Sequence, residues 1–372
     1  MSTPITDHRP TDRAELSGPL IVTEHAGLAE QLLRLCAAAG AEPQLLTTPP
    51  PRAEWEAAQL VLVGDDLAER CAGLTRRAGV LLLGLDLDDG DVWVRAVQLG
   101  AEHVLFLPDA QAWLLDRIAD AAEGVGPPAL TVAVLGGRGG GGASTLACAL
   151  AVTAARLGHR TMLIDADPLG GGLDILLGGE TAGGLRWPDL AGSRGRVNGT
   201  ELAKALPELH HLTALSWDRG DTLAIPPEAM RSVLAAARRR GGLVVLDLPR
   251  HLDAAAGQAL EQADAGLLVV PAELRALAAA DRVVAAARMR LADLRVVVRV
   301  PGPTGLTGGE IARHLGLKLA GELPPEPGLP LDVERGSPPG IRAKGPLARF
   351  CGGFLSEVMP PAPVPTIEGG QL

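Results

Sequence analysis

The ten residues Gly136 to Thr145, GGRGGGGAST, constrain this chain more than any other stretch. They follow an apolar run, Val132 to Leu135, and open an Ala- and Leu-rich segment starting near Ser144. Strand, glycine-rich turn and helix is the setting in which backbone N–H groups can close around phosphate oxygens. The spacing G-x-x-x-x-G-K-[ST] runs from Gly137 through Gly142 to Ser144, but the lysine position holds Ala143. The amide donors and the helix N-terminus remain, while the point charge aimed at the outer phosphates is gone. The stretch reads as a nucleotide-binding loop with weakened or lost catalysis.

At 372 residues the chain predicts two domains. Hydrophobic residues at 47% and charged residues at 21% predict packed cores. Aromatics are only 2%, with no Tyr, so Leu, Val and Ala must fill those cores and few rings could stack on bases. A net charge of −10 also weighs against nucleic acid or anionic lipid as a partner. The basic cluster Arg238, Arg239 and Arg240 reads as a solvated helix end. Cys36, Cys71, Cys148 and Cys351 form no CxxC pair, which suits a reducing compartment and thiols used as apolar fillers rather than metal ligands. The N-terminus has no apolar core and no apolar run reaches about 18 residues. These features predict a soluble, cytoplasmic chain with no direct membrane insertion.

The expected architecture is α/β in two parts. Residues 1–16 are predicted to be disordered. Over 17–124, the apolar runs Leu20–Val22, Leu60–Val63, Val80–Leu83 and His103–Leu107 alternate with helical stretches such as Leu28–Ala39 and Ala110–Ala122, predicting a parallel, doubly wound sheet. Residues 125–129 read as a linker. A second, mostly parallel doubly wound domain is expected over 130–358. Its strands are predicted at Thr131–Leu135, Thr161–Asp165, Leu243–Leu248, Gly266–Pro271 and Leu294–Arg299, and its helices at Ser144–Leu157, Pro227–Arg239, Leu274–Arg290 and Pro346–Glu357. Residues 359–372 read as a flexible Pro-rich tail without a basic apolar face.

Three carboxylates follow the glycine loop in order. Leu163-Ile164-Asp165-Ala166-Asp167-Pro168 ends a strand with two acids that could hold Mg²⁺ through water and orient an attacking water. Asp247 ends the apolar strand LVVLDLP, the pattern of a carboxylate holding a metal's water shell. Each alone is equally a turn or cap residue; the order of all three gives the functional reading its weight.

The succession of glycine loop, LIDADP, VVLDLP and ADAGLLVVPAE (Ala263 to Glu273) resembles the MinD/ParA family of P-loop ATPases. GGGLDILLGGE, GLRWPDL and LSWDRG resemble its CpaE/TadZ branch, and within it the actinobacterial septum-site-determining proteins. The resemblance implies ATP and Mg²⁺ as ligands. The nucleotide would lie against Gly137, Arg138, Gly139, Gly140, Gly141, Gly142, Ala143, Ser144 and Thr145, with Ser144, Asp165 and Asp247 toward the metal and Asp167 as the catalytic, water-positioning acid. Arg138 stands where the family places a lysine reaching the partner's nucleotide, and Arg299 stands near an expected adenine-reading Asn. Missing lysine contacts of the charge-assisted kind lower affinity about ten- to a hundredfold.

The stretch Leu20 to Ala122 resembles a response-regulator receiver (CheY-like) in degenerate form. Val22-Thr23-Glu24-His25 offers one carboxylate where a pair is expected. Gly64 stands at the expected phosphoacceptor, with Asp65 one residue later, and Leu107 replaces the lysine before Pro108. It reads as a pseudo-receiver used for docking.

The resemblance as a whole implies a homodimer that binds ATP, hydrolyses it weakly or not at all, and recruits division or Tad/Flp-type pilus or secretion proteins at a pole or septum. The alternative is a nucleotide-independent pseudo-ATPase scaffold that dimerises to recruit partners. Trp187 and Trp217 read as packing residues, and His210 and His211 as a turn.

Overall fold

The computed structural model describes residues 18–122, 128–192, 196–221, 224–303 and 305–359. The segment expected to be disordered (1–16), the core of the expected linker (125–127) and the tail beyond Met359 lie outside the described residues. The chain divides into two units, Met1–Val125 and Gly126–Leu372.

The first unit is a five-stranded parallel sheet: β1 (Leu20–Val22), β2 (Gln44–Leu46), β3 (Val61–Gly64), β4 (Val80–Gly84) and β5 (His103–Phe106), in the order β2-β1-β3-β4-β5. Between the strands run α1 (Ala26–Ala38), α2 (Arg52–Ala57), α3 (Ala68–Cys71), α4 (Val92–Leu99) and, last, α5 (Gln111–Ala122). Alternate residues of each strand face opposite sides. Ile21, Leu62, Leu81 and Leu83 pack against Leu28, Leu32, Leu114 and Ile118 of α1 and α5. Val22, Val61, Val63 and Leu82 pack against Trp55, Leu67, Val92 and Leu99 on the other face. Strands buried on both faces explain the nearly continuous apolar runs.

The carboxyl edge of this sheet carries the positions that the sequence compared with a receiver's phosphorylation site. β3 ends at Gly64, where an added Cβ would lie 2.6 Å from Thr23 Oγ1 and closer still to Asp66. Asp65 is gripped by a fork from Arg95, with Nε 2.6 Å and Nη2 2.7 Å from its two oxygens, and Arg95 also pairs with Asp89. Asp66 accepts from Thr23 Oγ1 (2.8 Å) and from the backbone N–H groups of Glu24 (2.5 Å) and His25 (3.1 Å). Leu107, at the lysine position, packs against the α1/α5 core.

The second unit is an eight-stranded sheet in the order β13-β12-β11-β6-β10-β7-β9-β8, parallel except for the last pair. Its strands are β6 (Leu130–Gly136), β7 (Thr161–Asp165), β8 (Glu208–Leu209), β9 (Leu212–Leu215), β10 (Leu243–Leu248), β11 (Ala265–Pro271), β12 (Leu294–Arg299) and β13 (Lys318–Leu323). Helix α6 (Ala143–Arg156) is buried from Leu146 to Ala155, between the sheet and the C-terminal helix α15 (Pro346–Val358). Such all-round burial requires an apolar circumference, and its alanines supply one without bulk. The opposite face is covered by α8 (Trp187–Leu190), α9 (Gly199–Ala205), α10 (Pro227–Arg239), α11 (Ala254–Glu261), α12 (Leu274–Ala287) and α13 (Gly308–Leu315). The short α7 (Leu173–Leu176) and α14 (Leu329–Glu334) lie at the α6 face. No helix among the described residues is long and apolar enough to cross a membrane.

The strands β2, β8, β9 and β13 were not expected from the sequence. The β8–β9 hairpin turns through His210 and His211, both at positive φ (+52° and +64°), without the Asn or Gly that normally announces such a turn. Trp187 and Trp217 are buried neighbours, ring centroids 6.3 Å apart, as packing residues should be.

Gly64→Ala forces a methyl into space held by Thr23 and Asp66. Overpacking of this kind costs about 1–3 kcal/mol. Chemical denaturation of the chain should show the first unit losing that much stability.

Candidate functional site

Six residues join the end of β6 to the start of α6. The Gly137 N–H donates to Val269 O of β11 at 2.9 Å, pinning the loop against the neighbouring strand. A Cβ at Gly137 would lie 3.0 Å from both Ala280 Cβ and Val270 Cγ2, and one at Gly141 would lie 3.0 Å from Arg138 O. Gly140 (φ +67°) and Gly142 (φ +97°) occupy the left-handed region that favours glycine. Packing at Gly137 and Gly141 and backbone conformation at Gly140 and Gly142 therefore demand glycine, and the loop borders a cavity of about 380 Å³ with its Gly141 N–H bonded to Arg138 O at 3.2 Å.

That cavity collects most of the residues expected from the sequence. Arg138, Gly139, Gly140, Gly141, Gly142, Ala143, Ser144, Thr145, Asp167 and Asp247 all border it. Gly137 and Asp165 do not line it: the first is packed beneath the loop and the second is turned inward. The wall is completed by Arg299, which the sequence placed near an adenine-reading position, and by residues whose role the sequence did not announce, including Arg250, Pro325 and Glu326. Arg250 follows LDLP directly, so its proximity to Asp247 was the one available signal.

The acids sit side by side because β7 and β10 are paired with Asp165 opposite Asp247. Asp165 is buried, and both its oxygens are engaged: one accepts the Asp167 N–H (3.1 Å), the other the Leu173 N–H (3.1 Å) and Ser216 Oγ (3.0 Å). Its own backbone carbonyl accepts from Trp187 Nε1 at 2.5 Å. Asp165 thus ties β7, β9 and the following loop together. Asp247 hydrogen-bonds with Ser144 at the first turn of α6. Burial pushes the Asp247 carboxyl up to about 8, and the charge of Asp165 adds to this, against the downward pull of Ser144. Burial also raises Asp165, to about 6, opposed by its hydrogen bonds. Asp167 Oδ1 accepts the Leu169 N–H at 3.1 Å, which orients the carboxylate at the cavity wall.

The cations are distributed unevenly. Arg138 Nη2 pairs with Glu273 Oε1 at 2.9 Å, while its Nε is buried without a partner. Arg299 leaves the end of β12 and donates from Nη1 to Gly141 O at 3.1 Å. A smaller cavity of about 150 Å³ lies between Arg138, Glu273, Arg299, Pro301 and Gly302.

These groups fit a nucleoside polyphosphate. A glycine loop at a helix N-terminus, an orphaned buried Arg138 donor and nearby guanidinium groups suit phosphate oxygens. No cluster of three or more His, Cys, Asp or Glu residues among the described residues could hold a metal unaided. Ser144 and Asp247 together offer what Mg²⁺ usually takes from a protein, one or two oxygens, with water and phosphate completing the shell.

Comparison with known proteins agrees with this architecture. Residues 22–128 match the family described as Rv3660c-like, CheY-like N-terminal domain. The Mycobacterium tuberculosis (strain H37Rv) protein Rv3660c is 40% identical over 318 residues, covering 83% of this chain and 89% of that protein. The MinC:MinD cell division protein complex of Aquifex aeolicus matches over 62% of this chain and 98% of that chain, with 26% identity and a TM-score of 0.53. A ParA family ATPase from Chlorobium tepidum matches over 62% of this chain and 99% of that chain, with a TM-score of 0.55 and 16% identity, a likeness of fold. A CheY-like first unit and a MinD/ParA-type P-loop second unit are thus joined in one polypeptide, and the chain belongs to the Rv3660c-like family.

Proposed function

We propose that this chain is an atypical MinD/ParA-like ATP-binding positioning protein. It acts in septum-site selection or in polar placement of Tad/Flp-type pilus or secretion machinery, with weak or no ATP hydrolysis, in the manner of the CpaE/TadZ branch and its septum-site-determining members. The observation that carries the reading is the glycine loop with Ser144 and Asp247 at one wall of a single cavity. MinD relatives in division, and the MinC:MinD pairing in one solved complex, support a positioning role that works through protein partners.

In this mechanism the loop amides of Gly139, Gly140, Gly142, Ala143 and Ser144 face the phosphates, the Gly141 N–H being held by Arg138 O at 3.2 Å, and a bound Mg²⁺ would supply positive charge that offsets theirs. Ser144 and Asp247 would hold that metal through its water shell. Asp167 accepts a proton-side contact from a water placed at the cavity mouth. Asp165 positions rather than reacts: it holds the Asp167 backbone and couples it to Ser216 and Leu173. With no lysine at position 143, transition-state charge is poorly met, and turnover is slow. The bound state itself is then the signal: two copies close on nucleotide and present a surface to division or pilus-secretion proteins, in the cytoplasm at a septum or pole.

The second reading, a scaffold that dimerises without nucleotide, draws on Ala143 and on the pairing of Arg138 with Glu273. Titration of the purified chain with ATP and Mg²⁺, followed by light scattering and thermal melting, separates the two. Binding at a hundred times Kd should add about 2.7 kcal/mol of stability and shift monomer to dimer. A flat calorimetric trace at millimolar ATP leaves only the scaffold. Ala143→Lys should raise ATPase turnover if the rest of the site is competent, and should leave it at background in a scaffold.

The raised Asp247 carboxyl gives a pH test. Between about 4, where an unfolded Asp ionises, and about 8, the folded chain holds a proton that the unfolded chain has released. The unfolded state binds fewer protons there, so this group makes stability fall as pH rises through that window. Asp247→Asn should flatten this part of the stability–pH curve and abolish the Mg²⁺ dependence of ATP binding. Denaturant titrations from pH 5 to 8.5 read the first effect, and calorimetry with and without Mg²⁺ reads the second.

A further inference from the structure

We propose that Arg299 supplies the phosphate-directed positive charge that position 143 lacks, so that the cation of this cradle comes from the end of β12 rather than the start of α6. The inference rests on the cavity being an ATP site. It assigns to phosphate recognition a residue that the sequence places at the adenine end of the pocket.

The guanidinium of Arg299 lies over the last two glycines of the loop. Its Nη1 bonds to Gly141 O at 3.1 Å, and Nη1 and Cδ are each 3.3 Å from where a Cβ on Gly142 would be. Ala143 is the next residue along the chain. The charge therefore hangs one residue away from the position where lysine is missing, over a glycine that leaves the space open. β12, β11 and β6 are parallel neighbours, so the ends of all three strands share one edge of the sheet. That shared edge brings a side chain 157 positions beyond Gly142 onto the phosphate loop.

Availability separates Arg299 from its neighbour. Arg138 is partly neutralised by Glu273 at 2.9 Å, whereas Arg299 has no carboxylate partner among the described residues. A guanidinium carries five N–H donors. Arg299 spends a donor on Gly141 O and borders the 380 Å³ cavity with donors to spare. Arginine also suits the task chemically, since its planar fork matches two phosphate oxygens at once. Arg299 borders both cavities, and its bond to Gly141 O holds Nη1 at the loop side.

The test is calorimetric titration of the full chain with Mg²⁺ and ATP, ADP or AMP. If Arg299 meets the outer phosphates, Arg299→Gln should weaken ATP about ten- to a hundredfold while moving AMP far less. Ala143→Lys added to Arg299→Gln should recover most of that loss, because it returns a cation to the same phosphates. Equal losses for ATP and AMP without rescue, or no loss for ATP, overturn the proposal while leaving ATP binding by the native chain intact. No ATP binding by the native chain overturns both this proposal and the function on which it rests. Should Arg299→Gln fail to fold, Ala143→Lys in the otherwise native chain decides. With Arg299 already meeting the phosphates, the added lysine tightens ATP by less than about tenfold, and a larger gain overturns the assignment.

Discussion

The loop between β6 and α6 runs so close to its neighbours that a side chain at Gly137 or Gly141 would have little room. The bond from Gly137 N–H to Val269 O, and the 3.0 Å clearances around Gly137 and Gly141, hold the backbone in one path. Everything at the site follows from that path. It lines the cavity with the loop backbone, sets Ser144 at the first turn of α6, and lets the side chain of Arg299 lie over Gly142. The all-buried circumference of α6, clamped between sheet and α15, keeps the helix start from shifting.

Beneath the loop the structure stores an electrostatic conflict. Asp165 and Asp247 face each other from adjacent strands, both buried and both raised above the usual carboxylate range. Asp165 is compensated by two backbone N–H groups and Ser216. Asp247 has Ser144 and little else, so it is the acid with most to gain from a divalent cation. Arg219, holding the buried Asp174 at 2.6 Å, extends the same network outward through Ser216.

The first unit uses the same parallel strand-and-helix construction for a different end. Its acids are committed to structure: Arg95 grips Asp65, and Asp66 caps the turn after β1. Gly64 is wedged against Thr23, and Leu107 serves the core.

The five apolar runs Leu130–Gly136, Thr161–Asp165, Leu243–Leu248, Ala265–Pro271 and Leu294–Arg299 were legible because strands buried on both faces must be continuously apolar. The glycine loop and the order of its acids were legible because phosphate binding demands bare amides beside oxygen ligands. Short edge elements were not: β13 is only partly buried, β8 has two residues, and its hairpin turns on two histidines instead of glycine. Local sequence alone determined the strand–loop–helix unit, the two-part α/β plan and the absence of a lysine at position 143. Only tertiary structure decided which groups stand around that gap. Parallel pairing brought Asp165 opposite Asp247 and Arg299 over Gly142, contacts between residues 82 and 157 positions apart that no local pattern encodes.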